Sequence, residues 1–222
     1  MALSQIPGPI ALLELGASAG LCLVPDRCHY RLTTADDVQE LRPRGDAREV
    51  WLDCSLTGAR APSALPEIVW RAGIDRSAVD LEDADELFWL ESLIWPEHDD
   101  RRSRLHDSLH ALAEDPPRIV QGDLVEDLPD LAAEAPRDAT LVIMHSAVFA
   151  YLSESARQVA QSRIMQTGAR CVSLEGVAVL PNVLSRLPIS MHSDPRFVLA
   201  LDGMPLGLAA PHGETYEALP LS

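Results

Sequence analysis

Five polar groups in this sequence stand where apolar runs end. Glu14 lies two residues before the small-residue turn Gly16-Ala17-Ser18-Ala19-Gly20, Asp75 follows Gly73-Ile74, Asp123 follows Gly122, His145 precedes Ser146, and Glu175 precedes Gly176. An acid just before a tight glycine turn can receive backbone N–H groups or a ligand amine. Asp75 suits a two-pronged hold on ribose hydroxyls, and Asp123 a place beside a base. His145 is the group fitted to carry a proton, because imidazole titrates near neutrality. Gly16 to Gly20 also spells G-x-S-x-G, a turn that can raise Ser18 for nucleophilic attack. Each acid has a plainer role open to it as a cap or a turn residue.

The elements that must position these groups are legible as alternating strands and helices. Ile10 to Leu15 reads as a strand feeding the turn, and Pro25 keeps any helix after Gly20 brief. Val50 to Leu56 alternates like a strand, within a segment near residues 28–65 expected to form an inserted β-hairpin or flap. Glu67 to Asp75 is a second core strand. The leucine stripe from Asp83 to about Ala113 predicts two helices broken at Trp95-Pro96, with Trp89 and Trp95 expected to pack in the core. Arg118 to Asp123 is a short strand and Pro129 to Ala135 a helix. Ala139 to Ser146 is a continuous apolar run suited to a strand covered on both faces. Glu154 to Thr167 is a helix, Ala169 to Gly176 a strand, and Asp202-Gly203 the turn of a terminal hairpin. Such alternation predicts a doubly wound α/β sheet in one domain spanning 1–222, with ligands beyond the carboxyl ends of its strands.

Glu14-x-Gly16-x-Ser18-x-Gly20 resembles the first motif of S-adenosylmethionine-dependent methyltransferases, with Ser18 in place of the usual middle glycine. That resemblance implies a mostly parallel Rossmann-like sheet of methyltransferase type with a C-terminal antiparallel hairpin. It also implies S-adenosylmethionine as cofactor: Glu14, Gly16, Ser18 and Gly20 near the methionine moiety, Asp75 on the ribose, Asp123 near the adenine, and His145 facing the acceptor. A second set of residues spans nearly the whole chain: Leu13 to Leu21, Arg71 to Asp75, Trp89-Leu90 with Leu93 to His98, His145 to Val148 with Ala150 to Leu152, and Pro211 to Gly213. Together these are similar to the bacterial family catalogued as domain of unknown function 2332, whose members are longer, with a helical region ahead of the glycine turn. Two other functions stay open. One is a serine hydrolase using Ser18 with Asp194 or Asp202 and His212; the other is a non-catalytic Rossmann-like domain.

Composition narrows the partners. Eighteen basic residues against 34 acidic ones give a formal net charge of -16, which repels phosphate backbones and anionic lipid surfaces. The expected partner is a small-molecule substrate, with neither nucleic acid nor membrane, in a cytoplasmic protein. Cys22, Cys28, Cys54 and Cys171 form no C-x-x-C pair and are expected as free thiols, mostly in the core. His106 and His110 are four apart on one helical face, but the charged run Glu97 to Arg102 before them favours a solvated surface over a metal site.

Overall fold

The computed structural model describes residues 1–44, 49–113 and 115–220. The first strand, β1 (Ile10–Leu15), is buried along its whole length, Glu14 included, as a strand covered on both faces by helices or loops must be. A single turn of 3-10 helix, Leu21–Leu23, follows the glycine turn and stops before Pro25. Next come β2 (His29–Thr33), β3 (Val38–Leu41), β4 (Trp51–Thr57) and β5 (Ile68–Asp75). Helices α1 (Ala84–Ser92) and α2 (Asp99–Ala113) are separated at Trp95-Pro96, and β6 (Arg118–Gln121) and α3 (Leu128–Ala133) follow. The remaining elements are β7 (Thr140–Ser146), α4 (Glu154–Thr167), β8 (Arg170–Gly176), α5 (Pro181–Leu184), β9 (Phe197–Leu201), β10 (Met204–Ala209) and β11 (Thr215–Ala218).

Among the described residues the eleven strands join one sheet in the order β3-β2-β4-β11-β10-β9-β8-β7-β1-β5-β6. Its five-strand parallel part, β6-β5-β1-β7-β8, steps outward from β1 in both directions. The point where strand order reverses therefore lies between β1 and β7, which places the expected ligand crevice outside their carboxyl ends. Beyond β8 the sheet turns antiparallel through the hairpin β9–β10. Asp202 and Gly203 connect that hairpin, both at positive φ (51° and 72°), as a two-residue turn matched to strand twist demands.

Alternation along the strands sorts the core. Leu13, Leu15, Ile74 and Ile143 face one way, packing with Leu128 and Leu131 of α3 and Ala160 and Ile164 of α4. Ile10, Leu12 and Val142 face the other way, covered by Ala2, Ile6 and Leu23. Period-two alternation gives Glu14 and Asp75 the second face, and His145 and Glu175 the first.

Three sequence expectations change here. The segment near residues 28–65 contains an antiparallel hairpin, β2–β3, yet it is no separate flap; residues 45–48 within it lie outside the described residues. Strand β4 pairs in parallel with both β2 and β11, so the insertion extends the main sheet. The short strand β11 was not foreseen; it satisfies the backbone groups along the open edge of β10. Trp89 and Trp95 do not enter the core. Helix α1 has no buried residue, and Trp95 and Phe88 are each 71% exposed. A helical stripe records that one face is apolar but not what that face docks on. Nor are the cysteines core residues: all four are free, Cys22 is exposed, and the other three are half-buried. Among the described residues no helix is long and apolar enough to cross a membrane.

Candidate ligand crevice at the carboxyl edge of the sheet

The glycine turn is stitched to the end of β5. The N–H groups of Gly16 and Ala17 donate to the Ile74 carbonyl, and Ser18 N–H donates to Asp75 Oδ2 at 2.7 Å. The other oxygen of Asp75 accepts from Ser77 N–H at 2.8 Å. Asp75 is thus first a clamp on two loops, with lone pairs left over, since a carboxylate offers about four acceptor sites. Gly16 and Gly20 have φ of 76° and 80°, which side chains rarely tolerate. Their Cα faces are also occupied: an added Cβ would stand 2.5 Å from Val148 Cγ2 at Gly16, and 2.7 Å from Pro117 Cγ at Gly20. The glycines make room for the protein's own side chains.

Ser18 itself adopts φ 51°, and Ala147, just past the end of neighbouring β7, adopts φ 54°. Among the described residues, two of the three non-glycine positions at positive φ therefore flank the reversal point. Left-handed backbone at such positions is sparsely populated and concentrates at ligand and active sites.

Glu14 lies under the turn, 3% exposed, and its Oε2 has no hydrogen-bond partner among the described residues. Burial pushes its pKa well above the usual carboxylate range, the Asp75 charge adds to the rise, and the Cys22 thiol beside it opposes it. The protonated acid is the favoured form, because a lone carboxylate without strong donors is costly to bury. The Glu14 carboxyl beside it raises the Cys22 thiol in turn, so its thiolate is disfavoured.

Asp123 starts the turn into α3. Its Oδ1 accepts from Val125 N–H at 2.9 Å, and its Oδ2 meets Arg76 at 3.0 Å. The Val125 N–H, with Arg76 behind it, holds this carboxyl below its ordinary value. Between the ends of β5 and β6 and helix α1 is a cleft of about 510 Å³ lined by Ser77, Val79, Asp85, Glu86, Trp89 and Gln121.

His145 is at the carboxyl edge too, but on the opposite face. Its Nδ1 pairs with Glu175 Oε1 at 2.8 Å, both side chains being almost wholly buried, and its ring stacks on Phe149 at 3.8 Å. Glu175 Oε1 also accepts from the N–H groups of Val148 (3.2 Å) and Phe149 (3.1 Å). This node locks the segment after β7. Sequence reading gave Glu175 only a turn; the available signal was that His145 and Glu175 both close neighbouring apolar strands.

The sequence-derived residues accordingly divide. Glu14, Gly16, Ser18, Gly20 and Asp75 come together around one turn. Asp123 stands one strand further out, and His145 is separated from them by the sheet. No described hydrogen bond joins Ser18 Oγ to a histidine. Asp194 is paired with Arg196, and Asp202 with Arg170 and the Cys171 N–H. His212 lies with His98 and Arg101 around a different, charged surface cleft. Among the described residues no cluster of three or more His, Cys, Asp or Glu could hold a metal ion.

No curated protein and no solved structure matches the chain. One family model does, over residues 1–217: an uncharacterized protein conserved in bacteria, DUF2332. With nearly its full length matched, the chain belongs to that bacterial family of domains of unknown function.

Proposed function

We propose that the chain binds an adenine-nucleoside ligand of the S-adenosylmethionine kind in the cleft between the ends of β5 and β6 and helix α1. One observation carries the reading. Asp75 and Asp123 stand at the carboxyl ends of the adjacent parallel strands β5 and β6, two residues from Ser77 and Gln121, which line a cleft whose wall includes the half-exposed ring of Trp89. Carboxylate lone pairs suit ribose hydroxyls, and an indole face suits a base.

The residues fit the nucleoside end of such a ligand. They do not fit its amino-acid end in the same way, because Glu14 is enclosed and Val148 and Pro117 fill the space over the glycines. No step of methyl transfer is therefore derived, and S-adenosylmethionine serves as the test ligand. Calorimetry with adenosine, S-adenosylhomocysteine and S-adenosylmethionine should show saturable binding of at least the last two. Trp89→Ala should weaken it about tenfold, the loss of roughly one stacked base. Absence of heat with all three ligands would sink the proposal.

Serine hydrolysis is the second reading, and the positive φ of Ser18 within G-x-S-x-G favours it. Labelling by a fluorophosphonate that vanishes in Ser18→Ala would establish it.

A further inference from the structure

A second, more apolar cavity lies on the Glu14 face of the sheet, away from the nucleoside cleft. It is enclosed on three sides: by strands β7, β8 and β9, by β2 and β3 of the sheet extension, and by the N-terminal residues Met1 to Ser4. Its volume is about 360 Å³, and its walls include Leu32, Leu41, Leu65, Val172, Leu174 and Leu199. No Lys, Arg, Asp or Glu side chain lines it. The polar groups are few. The hydroxyls of Tyr30 and Ser4 are committed to the Pro25 and Met1 carbonyls at 2.9 and 2.7 Å; the Met1 amino group and the Cys54 thiol lie at the sheet extension, and the Cys22 thiol and Ser146 near the carboxyl edge. Behind Cys22 stands Glu14, with its unpartnered Oε2.

We propose that this cavity binds a neutral, mainly hydrocarbon molecule of about a dozen heavy atoms, taking about 30 Å³ for each, with a single hydroxyl or carbonyl directed toward Cys22 and Ser146. Four observations support the assignment. Side chains that stop short of filling an apolar space of this size forgo packing that a few larger residues would supply. The lining offers no Lys or Arg to a carboxylate or phosphate, burial lowers the pKa of the Met1 amino group toward its neutral form, and a formal net charge of -16 opposes the approach of anions. A volume in the lower part of the usual ligand-pocket range, apolar walls and a few convergent polar groups are what small-molecule sites have in common. The buried Glu14 oxygen without a partner lies at the same end as Cys22 and Ser146. The inference does not depend on the nucleoside reading, since the two sites are separate.

The test is displacement of the neutral fluorophore N-phenyl-1-naphthylamine by straight-chain alcohols. Affinity should rise about fourfold per added CH₂ up to roughly decanol, then level off or fall as the cavity ends. Decanoate, ionised at about pH 8, should bind at least about tenfold more weakly than decanol. Leu174→Trp should fill the cavity and abolish displacement. Ala64→Trp, at the exposed rim, is the safer variant for folding and should weaken decanol at least about tenfold, with the thermal midpoint unchanged. Four results would each overturn the proposal: no saturable uptake of the fluorophore, affinity that keeps rising with length, decanoate equal to decanol, or full binding in a folded Ala64→Trp variant.

Discussion

Two buried carboxyl groups, on opposite faces of the same sheet edge, meet different fates. Glu175 receives three donors, the His145 ring and two backbone N–H groups, and has become an anchor for the chain leaving β7. Glu14 has only a thiol beside it, although each acid keeps one oxygen without a partner among the described residues. Burial alone therefore does not mark a functional acid. The donors around it decide whether it holds structure or remains available, since a paired buried acid is structural and an unpaired one must be neutralised or satisfied by something else.

The comparison can be broken most directly at Glu175. Glu175→Ala strands the His145 ring and two buried N–H groups and should cost about 3–5 kcal/mol in urea unfolding. Glu175→Gln should recover much of this. A loss below about 1 kcal/mol would remove the anchor from the account. Next in size is Gly16→Ala, which combines a positive φ with a clash against Val148; about 2–3 kcal/mol is expected. Val148→Ala added to it should return part of that loss, and a strictly additive double mutant would show that Val148 is not what closes the turn. Asp75→Asn keeps the shape of the clamp but offers an N–H₂ group where one of two N–H donors now points. A loss of about 1–2 kcal/mol is expected, together with weaker nucleoside binding in calorimetry. Unchanged affinity in a folded variant would exclude Asp75 from the ligand site.

The smallest effect belongs to Glu14, and its sign depends on pH. Its folded-state pKa is raised above the unfolded value. The stability it contributes is therefore fully present below the ordinary carboxylate pKa, and is lost as pH rises toward the folded value. Glu14→Gln removes that dependence. Near pH 4 it should lie within about 1 kcal/mol of the parent, and its relative stability should increase as pH rises. Parallel melting curves for the two proteins from about pH 4 to pH 8 would show that Glu14 is not held in the protonated form.

Much of the scaffold was legible in the residues. Continuous apolar runs gave β1, β7 and β8, Pro96 marked the break between α1 and α2, and Asp202-Gly203 announced the β9–β10 hairpin. The acids at the strand ends could be read as well, because a strand leaving the core must end in groups that tolerate water or find partners. The pairing of β11 with β4 was not legible. Only three residues of each pair, and about 160 residues of sequence lie between them, so no local pattern links them. Trp89 and Trp95 misled for a related reason, since helical periodicity says nothing of whether a partner surface exists.

The candidate site divides along the same line. By itself the sequence determined that an acid, a glycine turn and further strand-end acids and a histidine would gather at one edge of a parallel sheet, because residue type and period-two alternation are local properties. Only the tertiary structure decided which of them share a face, that Val148 and Pro117 close over Gly16 and Gly20, that Asp75 is a clamp, and that His145 is committed to Glu175. Those outcomes depend on contacts between segments far apart in the chain, which packing alone brings within hydrogen-bonding distance.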